Sequence, residues 1–148
     1  MLAISACTSL DCPLNNTVRV HFVLAGEVET LSDTLTVSVT RADGTDTIVY
    51  NKGVNLTNFS IPLSYTQETD RLKLLFKAED GRVWNDIITI TKTNEPHFEA
   101  VDCHPAYFHQ LTAVSSTNNY IDNIVINHPQ VDYDVTQEHI YLYLRAHD

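Results

Sequence analysis

Apolar and polar positions alternate with a period of two along most of the chain, a pattern that predicts strands rather than helices. Val18, Val20, Phe22 and Leu24 alternate with Thr17, Arg19, His21 and Val23, and Leu35, Val37 and Val39 alternate with Thr36, Ser38 and Thr40. Asp43-Gly44 reads as a tight turn, because both residues tolerate positive φ. Thr47 to Tyr50 returns as a short strand that Asn51-Lys52-Gly53 closes. Phe59, Ile61 and Leu63 form the next set, and Pro62, which lacks an amide proton, predicts an edge or a bulge there. Leu72, Leu74 and Phe76 face one way and Arg71, Lys73 and Lys77 the other. Asp80-Gly81 then predicts a hairpin into Trp84, Ile88 and Ile90. Asn94 to Pro105, with two prolines and no period, reads as a long crossover. Tyr107 to Val114, Ile121 to Ile126 and Ile140 to Leu144 supply the last strands.

Short strands at this spacing, with turn residues between them, point to an all-β domain, either a sandwich or a small barrel. The expected fold is a single immunoglobulin-like β-sandwich, mostly antiparallel, over residues 17–148. With 148 residues the chain can bury a real core, and its 4 glycines favour ordered strands over flexible linkers.

Charge narrows the partners. The formal net charge is −10, with no cluster of Lys or Arg, which argues against nucleic acid and against electrostatic docking on anionic lipid. No apolar run is long enough for a spanning helix, which needs about 18–20 residues.

The run Ile4-Ser5-Ala6-Cys7 has the form that a lipoprotein signal peptidase cuts, just before a cysteine that carries diacylglycerol. Residues 1–6 are accordingly read as the end of a signal peptide, Cys7 as the lipidated residue and 7–16 as a tether. The chain would then be anchored to a membrane through its N-terminal lipid. Three cysteines leave one unpaired in an exported protein. Lipidating Cys7 leaves Cys12 and Cys103, which either form a disulfide in an oxidising compartment or stay as two buried thiols. A bridge closing a loop of that length stabilises by about 4–5 kcal/mol on the chain-entropy account.

These features, with Cys12-Pro13-Leu14-Asn15-Asn16, Asp33-Thr34-Leu35-Thr36-Val37 and Phe59-Ser60-Ile61-Pro62-Leu63-Ser64-Tyr65, give the chain a resemblance. It resembles a family of small Bacteroidetes envelope lipoproteins of unknown function. Pro96-His97-Phe98, Asp102-Cys103 and Tyr120-Ile121-Asp122-Asn123-Ile124-Val125-Ile126 carry the likeness on, so that it spans Cys7 to about Leu144. The resemblance implies export, a lipid at Cys7, a β-sandwich and no assigned activity. It also implies a partner among outer-membrane barrel proteins. Surface-exposed lipoproteins of that phylum often carry an acidic run after the lipidated cysteine. Here only Asp11 stands in Thr8-Ser9-Leu10-Asp11, which leans towards the periplasmic face.

Candidate chemistry is thin. His97, His104 and His109, with Glu99, Asp102 and Cys103, include zinc-ligating types, but their spacing matches no zinc site and solvated or capping histidines explain them. Asp132-Tyr133-Asp134 and Asp43-Gly44-Thr45-Asp46 lack the ligand spacing of a calcium loop, and turn chemistry accounts for them. There is no Gly-x-Ser-x-Gly elbow and no His-Glu-x-x-His run. Tyr141 and Tyr143 are the candidate binding residues. If Ile140, Leu142 and Leu144 face the core, both tyrosines face outward. The expected function is therefore non-catalytic binding, without cofactor or metal, as an accessory subunit to another envelope protein at the outer membrane. A carbohydrate-binding module is the alternative, and a hydrolase without a recognisable motif is a third reading.

Overall fold

The computed structural model describes residues 18–41, 43–98 and 105–146. Ten strands form among them: β1 (Val20–Ala25), β2 (Thr34–Thr40), β3 (Asp46–Gly53), β4 (Asn58–Ile61), β5 (Thr69–Lys77), β6 (Val83–His97), β7 (Ala106–Ser116), β8 (Ile121–Ile126), β9 (Gln130–Val131) and β10 (Ile140–Leu144). They make two packed sheets, one ordered β4-β1-β10-β8 and the other β3-β2-β5-β6-β7-β9. The expected all-β sandwich is what the chain forms, and no described residue lies in a helix long and apolar enough to cross a membrane.

Alternation decides which side of each strand is buried. β5 buries every second residue from Asp70 to Phe76, and β10 buries Ile140, Leu142 and Leu144. Burying each large apolar side chain contributes roughly 1.5–3 kcal/mol, so the inward rows hold the sheets together. Phe22 and Phe59 stack across β1 and β4 at 4.9 Å between ring centres. Among the described residues all strand pairings are antiparallel except one: β1 runs parallel to β10, with Phe22 opposite Ile140 and Ala25 opposite Tyr143. The first and last strands thus lie side by side at the centre of the smaller sheet.

The Asp80-Gly81 hairpin forms as expected, with Lys77 opposite Val83 and Gly81 at φ +92°, a conformation glycine adopts without strain. β4 is an edge strand and ends at Ile61, immediately before Pro62. Two expectations need correction. β3 does not stop at Tyr50 but runs to Gly53, absorbing the extra residues as register shifts against β2. Nor does Asn94 begin a crossover. β6 continues to His97 and pairs with β7 in a long hairpin, His97 lying opposite Ala106. The pairing with β5 ends at Thr91 and that with β9 involves only His109 and Gln110, so Glu95–His97 and Ala106–Phe108 form a two-stranded ribbon reaching past the rest of the sheet. No core lies beneath the ribbon to impose a period of two.

Candidate functional site

β10 lies between β1 and β8, which puts its outward side chains at the middle of the smaller sheet. Tyr141 is in register with Val23 on one side and Val125 on the other, so the three form a row across the outer face. In the next row Tyr143 stands between Ala25 and Asn123. Both tyrosines are half-buried, and Val125 is 39 % exposed. The Tyr141 hydroxyl donates to a Glu138 carboxylate oxygen at 2.9 Å, and that acceptor raises the phenol's pKa. The ring of Tyr143 lies over Gly26, whose missing Cβ leaves the space it occupies. The result is a fixed apolar shelf with a hydroxyl tethered at its side.

A second feature escaped the sequence. At one end of the molecule a cleft of about 470 Å³ is lined by Leu63, Tyr65, Tyr107 and His109, with Val18, Pro105 and Ala106 completing it. Tyr65, 59 % exposed, stacks on Tyr107 at 4.7 Å with the rings 11° from parallel. His109 is buried. Asn94 Nδ2 donates to the Gln67 carbonyl at 2.8 Å, which turns Asn94 Oδ1 towards His109 Nδ1, 2.9 Å away. Nδ1 therefore carries the ring proton. Burial, and after it the charge of Lys92, pushes the His109 pKa down to about 4, so the ring is neutral at physiological pH.

Behind His109 lies a buried ion pair. Lys92 Nζ is 2.9 Å from Asp70 Oδ2, and both side chains are essentially inaccessible. Lys92 also donates to the Gln67 carbonyl, and the Ser64 hydroxyl donates to Asp70 Oδ1 at 2.6 Å. The Ser64 amide adds a 3.3 Å bond to the other carboxylate oxygen. Buried charges persist only when their remaining hydrogen-bonding capacity is met, and here it is met from the loop at 64–68. The pair thereby fixes that loop, Tyr65 included, to β5 and β6.

The other histidines do not converge with His109. His97 stacks on Phe108 at 4.5 Å, with Tyr133 edge-on to both. His139 Nδ1 accepts the His21 backbone amide at 2.9 Å, joining the start of β10 to β1. Its pKa is lowered to about 4 by burial and by the neighbouring His128 and His21. Among the described residues no group of three His, Cys, Asp or Glu side chains is arranged to hold a metal ion. In the acidic loops Asp43, Asp132 and Asp134 each accept the backbone amide two residues on, the turn chemistry expected of them. Asp46 pairs with Lys73 at 2.8 Å.

Cys7, Cys12, Cys103 and His104, with Glu99 and Asp102, lie outside the described residues. Val18 and Pro105, at the described ends of the segments carrying Cys12 and Cys103, line the same cleft.

The architecture defines a two-sheet β-sandwich with an aromatic shelf on one face and an aromatic cleft at one end. The chain belongs to a family of unknown function, DUF6452, whose match covers residues 34–144, from the start of β2 to the end of β10. No curated protein and no solved structure matches it.

Proposed function

We propose that this chain is a lipid-anchored, non-catalytic protein of the cell envelope that works as an accessory subunit to another envelope protein. The observation that carries the reading is the outward row Val23, Tyr141 and Val125, with Tyr143 beside it, at the centre of the smaller sheet. Tyrosine presents a large, rigid, amphipathic surface at low entropic cost and is enriched where proteins meet. A lipid on Cys7 would hold the domain at the outer membrane, on its periplasmic face, and reduce the search for a membrane partner to two dimensions. Two mostly antiparallel sheets packed face to face support the immunoglobulin-like reading of the sandwich.

A Cys12–Cys103 disulfide belongs to the same reading. Because Val18 and Pro105 line one cleft, the segments bearing the two cysteines set out from the same end of the molecule. Thiol titration of a Cys7→Ser variant under denaturing, non-reducing conditions tests it: no free thiol is expected, and two would refute the bridge.

The functional test is capture from the native host. The full-length protein with a C-terminal tag is expected to co-purify from gently solubilised membranes with one stoichiometric partner. That partner should be lost from the Tyr141→Ser/Tyr143→Ser variant and depleted by Cys7→Ser. A lipidated protein that purifies alone, or a partner indifferent to both tyrosines, would defeat the proposal.

A further inference from the structure

We propose that the cleft beside Tyr65 and Tyr107 binds a neutral sugar ring, one pyranose unit of an uncharged glycan. The site shares no residue with the Tyr141 face, and its test does not depend on an envelope partner.

Three properties of the cleft select this chemistry. Its walls are apolar and aromatic, and none of the described residues lining it carries a charge. Lys92 and Asp70 do not line it, and each is the other's partner. Tyr107 stacks on one face of the Tyr65 ring and holds it in place, and Tyr65 is among the more exposed large hydrophobic side chains of the described residues. An aromatic face is electronegative and favours a ring that presents C–H groups to it, as one side of a pyranose does. A volume of about 470 Å³ falls within the usual range of small-molecule sites.

The third property is a directional polar group. Because Nδ1 of His109 gives its proton to Asn94, Nε2 holds a lone pair, and among the described residues no donor engages it. The imidazole can therefore accept a hydrogen bond from a hydroxyl. A purely hydrocarbon ligand would leave that acceptor unused, whereas a sugar supplies both a C–H face and a hydroxyl at its rim. The Asn94–Gln67–Lys92 network locks the tautomer, so the acceptor is set before the ligand arrives.

The test uses the whole folded chain against an array of neutral glycans, followed by titration calorimetry with the best-bound oligosaccharide. Saturable binding is expected. Tyr65→Ala should weaken it at least tenfold, and because Tyr65 is exposed, this change should leave the melting curve in place. His109→Asn, which can keep a donor towards Asn94 but removes the Nε2 acceptor, should weaken binding severalfold. The Tyr141→Ser/Tyr143→Ser variant should bind the glycan as the parent does. The proposal is overturned if no neutral glycan binds, if only acidic glycans bind, or if Tyr65→Ala binds as tightly as the parent. It is equally overturned if Tyr65 resists nitration in the ligand-free chain, since the cleft would then be covered already.

Discussion

The hydroxyl of Tyr120 donates a 2.7 Å hydrogen bond to Asp33, and both residues are buried. Tyr120 lies just before β8 of the smaller sheet, and Asp33 just before β2 of the larger, so the bond ties the two sheets at one end. Burial, then the Asp33 carboxylate, raises the Tyr120 pKa, so the phenol stays a donor throughout the physiological range. Its ring packs against Phe76 and Trp84. Asp86 holds the same corner from below. It accepts the backbone amides of Asn119, Tyr120 and Ile121 and the Thr117 hydroxyl at 2.6–2.8 Å.

Tyr120→Phe keeps the ring packing and removes the hydroxyl donor to the buried Asp33 carboxylate. A loss of about 1–3 kcal/mol is expected. Urea denaturation of parent and variant measures it, and an unchanged midpoint would mean the bond contributes nothing net.

The buried Lys92–Asp70 pair makes a sharper prediction. Lys92→Met leaves Asp70 buried with only the Ser64 contacts and should cost about 3–5 kcal/mol. Adding Asp70→Asn removes the stranded charge and should restore part of the loss. A double-mutant cycle by chemical denaturation checks this, and simple additivity would contradict the coupling.

Stability should also fall on mild acidification. His109 and His139 have folded pKa values pushed down to about 4 from an ordinary value near 6.5. The unfolded chain therefore binds more protons between those limits. Their contribution is complete above pH 6.5 and drains away as the pH falls towards 4, by up to about 3 kcal/mol for each residue. Asp43, Asp46 and Asp134 have lowered pKa values instead, so their contribution is lost only below their ordinary value of 3.8. Urea midpoints at pH 7.5, 6 and 5 should decline steadily, and more gently in His139→Asn, which can keep an acceptor for the His21 amide.

Much of the sandwich was legible because its inward rows face a core. Leu72, Leu74 and Phe76, or Ile140, Leu142 and Leu144, are apolar at every second residue, and the two outward tyrosines follow from the latter row. Lys92 extends the buried row of Ile88 and Ile90 as a charge, which alternation alone counts as outward. The ribbon at Glu95–His97 has no core beneath it, and the two-residue β9 is too short to show a period. The cleft was hidden for another reason. Tyr65 and Tyr107 are distant in sequence, and only the β6–β7 hairpin and the loop pinned by Asp70 bring them into contact. Nothing in either local sequence marks that meeting.

The shelf itself depends on a glycine. Gly26 has φ +83°, and a Cβ there would lie 2.9 Å from Tyr143 Cδ2. Gly81 has a similar φ of +92° but open space around it. Gly26→Ala and Gly81→Ala should therefore share a backbone cost of about 1–2 kcal/mol. Only the first also displaces a ring of the proposed contact face. Thermal melts should lower both variants, Gly26→Ala the more, and partner capture should weaken in Gly26→Ala while Gly81→Ala captures as the parent does. Equal capture by the two would show that the position of Tyr143 does not matter for binding.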